Sequence, residues 1–257
     1  MRSHVPSYEL AAARDLPAAL SMLREGYRPI AGGTDIMVLF ESGRLDHKKW
    51  ISIRDIAELR FIVADAEYVT LGALTTYTDV RRCAILAAEF PLMTEAAALT
   101  GGIATQNRGT LGGNIVNASP AADTPPALLV YDAEVELVSP RGARWVNYNH
   151  FHRGYKVMDL ASDELLTSIR LPRKFDGWKH FYRKVGTRRA QAISKVCFAG
   201  LRRGGETRVA LGSVGPVPTF LENEISAIAP IDDVRSTARY RMQVAKNLME
   251  EFLHVTS

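Results

Sequence analysis

The chain has 257 residues, 47% hydrophobic and 23% charged, with a formal net charge of +4. This is the balance of an ordinary soluble globular protein, long enough for one large domain or two smaller ones, and no segment approaches a transmembrane span. Its two cysteines, Cys83 and Cys197, cannot ligate an iron–sulfur cluster or a structural zinc unaided and read as buried thiols, so any redox centre is a bound organic cofactor.

Met1-Arg2-Ser3-His4 leads into no apolar signal stretch, which reads as a cytoplasmic protein. Asp15 starts a helix with Leu16, Leu20 and Leu23 at helical spacing, and Gly26 stops it. Pro29-Ile30-Ala31 is a short strand entering the first glycine pair, Ala31-Gly32-Gly33-Thr34-Asp35. Ile36 to Phe40 reads as strand or helix, its place directly after the glycines favouring a short helix, and Trp50 to Ile53 is a second strand. This βαβ-like unit carries its loop at a strand's C-terminal end, where α/β folds bind ligands.

Tyr68 to Ala73 is a strand, and Tyr77 to Thr100 is largely helical with one interruption at Pro91. A second glycine loop, Thr110-Leu111-Gly112-Gly113-Asn114, precedes the turn Ser119 to Pro126 and a short helix from Ala127. Strands follow at Ala133–Val138, whose alternation marks one buried face, and at Glu164–Pro172. Pro172 to Trp178 reads as a boundary. Beyond it come strands at Ile193–Leu201 and Arg208–Val214, the turn Gly215 to Pro218, and a terminal helix from Asp232 to Leu253.

A Gly-Gly followed by a small polar residue lets main-chain N–H groups converge on an anion, because glycine tolerates positive φ and has no Cβ. Two such loops suit a ligand with two phosphates, such as a dinucleotide. Neither has GxGxxG spacing and no Gly-Lys-Ser/Thr follows, so Rossmann and P-loop readings lack their key residues. Asp35 serves the ligand or caps the next helix; Asn114 and Asn117 are ligands or turn formers; Asp123 is a turn residue or has a defined hydrogen-bonding task. The basic stretch from Arg170 to Arg208 has no accompanying nucleic-acid motif and reads as a solvated face with contacts to phosphates or an acidic partner. His150 and His152 lack a third ligand for a metal.

At these residues the chain resembles the FAD-binding medium subunit of molybdenum hydroxylases, the family of xanthine dehydrogenase and carbon-monoxide dehydrogenase. The resemblance rests on Ala31 to Asp35, Thr110 to Ile115, Ser119 to Pro126, Lys184 and Arg188-Arg189, in matching order and spacing. It implies an α+β, vanillyl-alcohol-oxidase-like FAD fold at 1–174, with subdomains of about 1–55 and 56–174, and a smaller α+β C-terminal subdomain at 175–257. In that fold Pro29, Ile30, Ala31, Gly32, Gly33, Thr34, Asp35 and Ile36 would wrap the FAD pyrophosphate together with Thr110, Leu111, Gly112, Gly113 and Asn114. Asp123 would contact the flavin side, Leu166 would pack on the isoalloxazine, and Lys184 would reach the cofactor from the C-terminal subdomain.

The implied activity is that of a flavin-dependent oxidoreductase subunit. Electrons would pass from a large molybdopterin subunit, through a small [2Fe-2S] subunit, to FAD and then to NAD, a quinone or oxygen. Two alternatives accompany it: a standalone FAD-dependent oxidoreductase of the same fold, and a scaffold that has lost tight FAD binding. No nucleic acid and no resident metal are expected.

Overall fold

The computed structural model describes residues 7–188, 191–221, 225 and 228–257. Asp15 accepts the Ala18 N–H at 2.8 Å and Pro17 lies in the first turn, so α1 (Leu16–Arg24) starts where its cap predicts and buries Ala19, Leu20 and Leu23. Around it run β1 (Glu9–Ala12), β2 (Arg28–Ile30), α2 (Ile36–Glu41) and β3 (Lys49–Ser52). The strands form a parallel sheet in the order β1-β3-β2, with Ile51 fully buried at its centre. Ile53, Ile56 and Leu59 extend that core, joined by Leu74 and Leu165 from later in the chain.

A second, antiparallel sheet contains β4 (Ile62–Ala64), β5 (Tyr68–Gly72), β6 (Glu134–Ser139), β7 (Gly142–Asn147) and β10 (Leu165–Pro172), in the order β4-β5-β10-β6-β7. Between β5 and β6 lie α3 (Tyr77–Arg82), α4 (Ala84–Glu89), α5 (Pro91–Leu99), α6 (Ile103–Arg108), α7 (Leu111–Asn117) and α8 (Pro125–Val130). The helical run expected from Tyr77 has a break more than Pro91 alone would give. A capping box of Thr76 and Asp79 starts α3, and Cys83, extended at ψ 113, ends it and opens α4. Cys83 is half-buried rather than buried, whereas Cys197 is fully buried.

The largest correction concerns the second glycine pair. It is not a loop: Thr110 caps α7, and Gly112 and Gly113 occupy its first turn. Glycine is a poor helix former, which is why the pattern reads as irregular. What favours it at this position is packing, because a Cβ on Gly112 would stand 2.7 Å from the Cβ of Ala73.

A hairpin of β8 (His152–Gly154) and β9 (Val157–Met158) leads back to β10. The third sheet is antiparallel, with β11 (Lys179–Val185), β12 (Val196–Arg203), β13 (Glu206–Gly212) and β14 (Thr219–Leu221) in sequence order. The lysines and arginines of β11 disguise it as part of a solvated basic stretch, so this strand is not among those expected from the sequence. Every residue of α8 is buried, and the helix packs on β12 and β13, so the second and third sheets share one core that includes Leu171, Tyr182 and Ala199. The terminal helix, α9 (Ala238–Val255), covers the other face of β12, with Phe252 on Phe198 at 5.6 Å. It starts later than Asp232, because Asp233 folds the chain back through the Arg235 and Ser236 N–H groups and Thr237 becomes the cap.

The basic stretch is largely consumed internally. Arg170 pairs with Glu134, Arg173 with Glu89, Lys174 with Asp132, Arg183 with Glu251 and Arg208 with Asp132, while Arg203 lies over the Trp178 ring. Of these, Arg183 ties β11 to α9, and Arg208, which also donates to Val130 O, ties β13 to the end of α8. Arg189 lies outside the described residues.

Candidate functional site

The chain leaves β2 at Ile30 and turns at Gly33, whose φ of +74 suits glycine. Across this turn the main-chain N–H groups of Gly32, Gly33, Thr34, Asp35 and Ile36 find no acceptor among the described residues, although the Gly33 and Asp35 carbonyls accept from α2. Asp35 stands at the cap position of α2 but makes no capping bond, and its side chain is exposed. Five consecutive donors without an acceptor among the described residues, in a turn with Gly33 at positive φ, suit a phosphate or another multivalent oxyanion.

Opposite this turn lies the start of α7. Its N–H groups are already used: Leu111 donates to Thr75 O, Gly112 to Ala73 O, Gly113 to Thr110 Oγ1 and Asn114 to Thr110 O. What this segment leaves for a ligand is side chains. The Thr110 hydroxyl keeps its proton, and Asn114, whose Oδ1 accepts from Thr124 at 2.7 Å, keeps its amide N–H groups. Asn117 instead receives the Lys156 ammonium at Oδ1, 2.8 Å away.

The two glycine segments meet directly. Arg108 Nε donates to Gly32 O at 3.2 Å, and a Cβ on Gly32 would fall 1.9 Å from Arg108 O. At this seam a cavity of about 170 Å³ is lined by Ala31, Gly32, Arg54, Arg60, Arg108 and Thr110 among others.

A second polar group gathers around Asp123. Its carboxylate takes Lys184 Nζ on Oδ2 at 2.7 Å and the Ser194 hydroxyl on Oδ1 at 2.7 Å, and its carbonyl accepts from Tyr182 OH at 2.8 Å. Lys184 also donates to Leu99 O at 2.8 Å. Both side chains of the ion pair are only 8% exposed. Burial pushes the Asp123 carboxyl above the ordinary carboxylate range, opposed by Lys184 and Ser194. Cys197 donates to Tyr182 OH, and burial raises both of those groups, so they stay protonated and neutral. Leu166 lies on β10, 3% exposed, at an irregularity in the pairing with β6. His152 Nε2 bonds Ile115 O at 2.9 Å, and among the described residues no cluster of three metal-ligating side chains occurs.

The family described as the FAD binding domain in molybdopterin dehydrogenase matches residues 6–174. The chain belongs to it. It is an FAD-binding medium subunit of the molybdenum hydroxylase family. The glyceraldehyde dehydrogenase medium chain of Sulfolobus acidocaldarius is 31% identical across 97% of this chain and 99% of that one. The xanthine dehydrogenase FAD-binding subunit of Escherichia coli O157:H7 is 33% identical across 82% of this chain and 75% of that one. Among solved structures, a carbon monoxide dehydrogenase from Hydrogenophaga pseudoflava superposes with a TM-score of 0.91 at 26% identity, over 98% of both chains.

The residues present fit the cofactor of this family. The Gly32–Ile36 turn offers unpaired donors in number, and Gly32 has no room for any side chain. Sequence reasoning gave no task to Thr124, which lies in the Ser119–Pro126 run and holds Asn114. It missed Ser194 and Tyr182, which hold Asp123 and which no motif flags.

Proposed function

We propose that this chain is the electron-transfer flavoprotein of a cytoplasmic molybdenum hydroxylase complex. In this reading a small [2Fe-2S] subunit, fed by a large molybdopterin subunit, delivers electrons, and NAD, a quinone or oxygen removes them. The Gly32–Ile36 turn with its free N–H groups carries the reading, and the names of the relatives support it. FAD supplies the redox chemistry when bound.

The residues then divide the work of binding and tuning. The turn from Pro29 to Ile36 takes the phosphates through its backbone, while Thr110 and Asn114 add side-chain donors, and Leu111, Gly112 and Gly113 bring that segment close. Leu166 packs toward the flavin end. Lys184 contributes a fixed positive charge there, held by Asp123. We also propose the division into a cofactor-binding part at 1–174 and a C-terminal part at 175–257. Relatives similar along most of this chain are named for glyceraldehyde, xanthine and carbon monoxide, which supports the reading that substrate choice falls to the partner subunit.

The test is a visible absorption spectrum of the purified chain before and after adding FAD. Bands of oxidised flavin, lost when Gly33 and Gly113 are replaced by valine, together with co-purifying large and small partners, support the proposal. A chain that takes up no flavin, alone or with partners, overturns it.

A further inference from the structure

An aspartate's carboxylate plane is weakly fixed by its own torsion, which is broad and roughly two-fold. Its orientation is therefore set by whatever donates to its two oxygens. For Asp123 both donors come from the third sheet: Lys184 from β11 on Oδ2 and Ser194, just before β12, on Oδ1, each at 2.7 Å. Ser194 is completely buried, and among the described residues it is the hydrogen-bond donor to Oδ1. Nothing in the family resemblance or in the chain's motifs assigns this serine a task. We propose that Ser194 is a positioning residue that, through Asp123, sets how much of the Lys184 charge the cofactor site feels. The proposal rests on the reading that Lys184 faces the flavin.

With Ser194 in place, its bond and Lys184 both favour the carboxylate against the pull of burial, and that anion, aimed at the ammonium, offsets its charge. Without it, Oδ1 is buried with no partner, and burial favours the protonated acid, which no longer compensates Lys184. The other titratable groups facing Asp123 are Tyr182 on β11, Cys197 on β12 and Tyr77 on α3, and burial keeps all three neutral. Lys184 is thus the one charge whose balance changes.

Two measurements test this. In the chain without cofactor, the Asp123 carboxyl is titrated by 13C NMR; Ser194→Ala is expected to move its midpoint to higher pH. In the flavin-loaded complex, Ser194→Ala is expected to shift the flavin reduction potential in the positive direction, part of the way toward the value for Asp123→Asn. Adding Ser194→Ala to Asp123→Asn should then shift it no further. A merely structural serine would move the potential in both backgrounds, and that result overturns the proposal, as does an unmoved carboxyl midpoint. A midpoint that moves while the potential stays fixed overturns the flavin-facing role of Lys184 instead. If Ser194→Ala is too unstable, Ser194→Cys, with its weaker S–H donor, reads the same shifts at smaller amplitude.

Discussion

At the scale of single residues, Gly32 and Gly33 make different demands and so predict different failures. A Cβ at Gly32 meets a backbone oxygen, Arg108 O at 1.9 Å, so alanine there must push the two glycine segments apart. A Cβ at Gly33 meets nothing nearer than Ile30 Cδ1 at 3.6 Å, but its φ of +74 strains any other residue. We expect Gly32→Ala to cost about 1–3 kcal/mol through forced repacking and to weaken FAD binding strongly. Gly33→Ala should cost about 1–2 kcal/mol through backbone strain and weaken binding less. Thermal unfolding and flavin fluorescence titration measure both, and a Gly32→Ala milder on both counts than Gly33→Ala would refute the steric argument. Gly33 is legible in the sequence because its requirement is local, a positive φ in a turn after a strand, whereas Gly32 answers to Arg108 O, which it meets only after folding. The second glycine pair is legible as important but not as a helix, since the reason for Gly112 is Ala73, a residue it meets only after folding. Ser194 gives no signal at all, because a serine before a strand looks the same whether or not an aspartate is delivered to it.

At the scale of elements, α9 is held along its length by apolar packing and at its start by charge. Arg241, 1% exposed, donates to Ile231 O at 2.8 Å and to Asp233 Oδ1 at 2.7 Å. Burial acts to raise the Asp233 carboxyl, yet the bonds from Arg241, Arg235 and Ser236 outweigh it and hold it down to about 2. A carboxyl depressed in the folded state contributes stability above its unfolded value, near 3.9, and loses it as pH falls through the folded value. The contribution is therefore complete at neutral pH and disappears between about pH 4 and pH 2. Asp233→Asn should destabilise the chain by about 1.5–3 kcal/mol at pH 7, the worth of a hydrogen bond to a charged group. Urea unfolding at pH 7 and at pH 3 should show the gap between variant and parent narrowing in acid; a constant gap would mean the ion pair does not hold the helix. The amphipathic pattern of α9 is readable from its apolar spacing. Its true start is not, since Asp232 reaches forward to the Ala238 N–H from outside the helix while Asp233 turns the chain and Thr237 becomes the cap.

At the scale of the whole molecule, the placement of the cores matters more than any sheet. The second and third sheets share a single core through α8, whereas the parallel β1-β3-β2 sheet has a separate, smaller one, linked onward by Leu74, Leu165 and the Arg108–Gly32 bond. Local opening follows such boundaries. Without cofactor, amides of α1 and β3 should exchange with solvent at a lower opening energy than those of β5, β10 and β12, which are freed only by global unfolding. The proposed phosphate-binding turn lies on the smaller unit, and Asp123 and Lys184 lie on the larger, so a ligand spanning them must hold the units together. Hydrogen exchange at FAD concentrations 100 times the dissociation constant should then raise the opening energy of α1 and β3 by about 2.7 kcal/mol, the linkage value for a ligand that binds only the closed form. An N-terminal unit whose protection stays unchanged while flavin binds would show that the cofactor rests on one unit alone. That outcome would place the phosphate contacts on α7 and its neighbours and leave the Gly32–Ile36 turn with no part in binding.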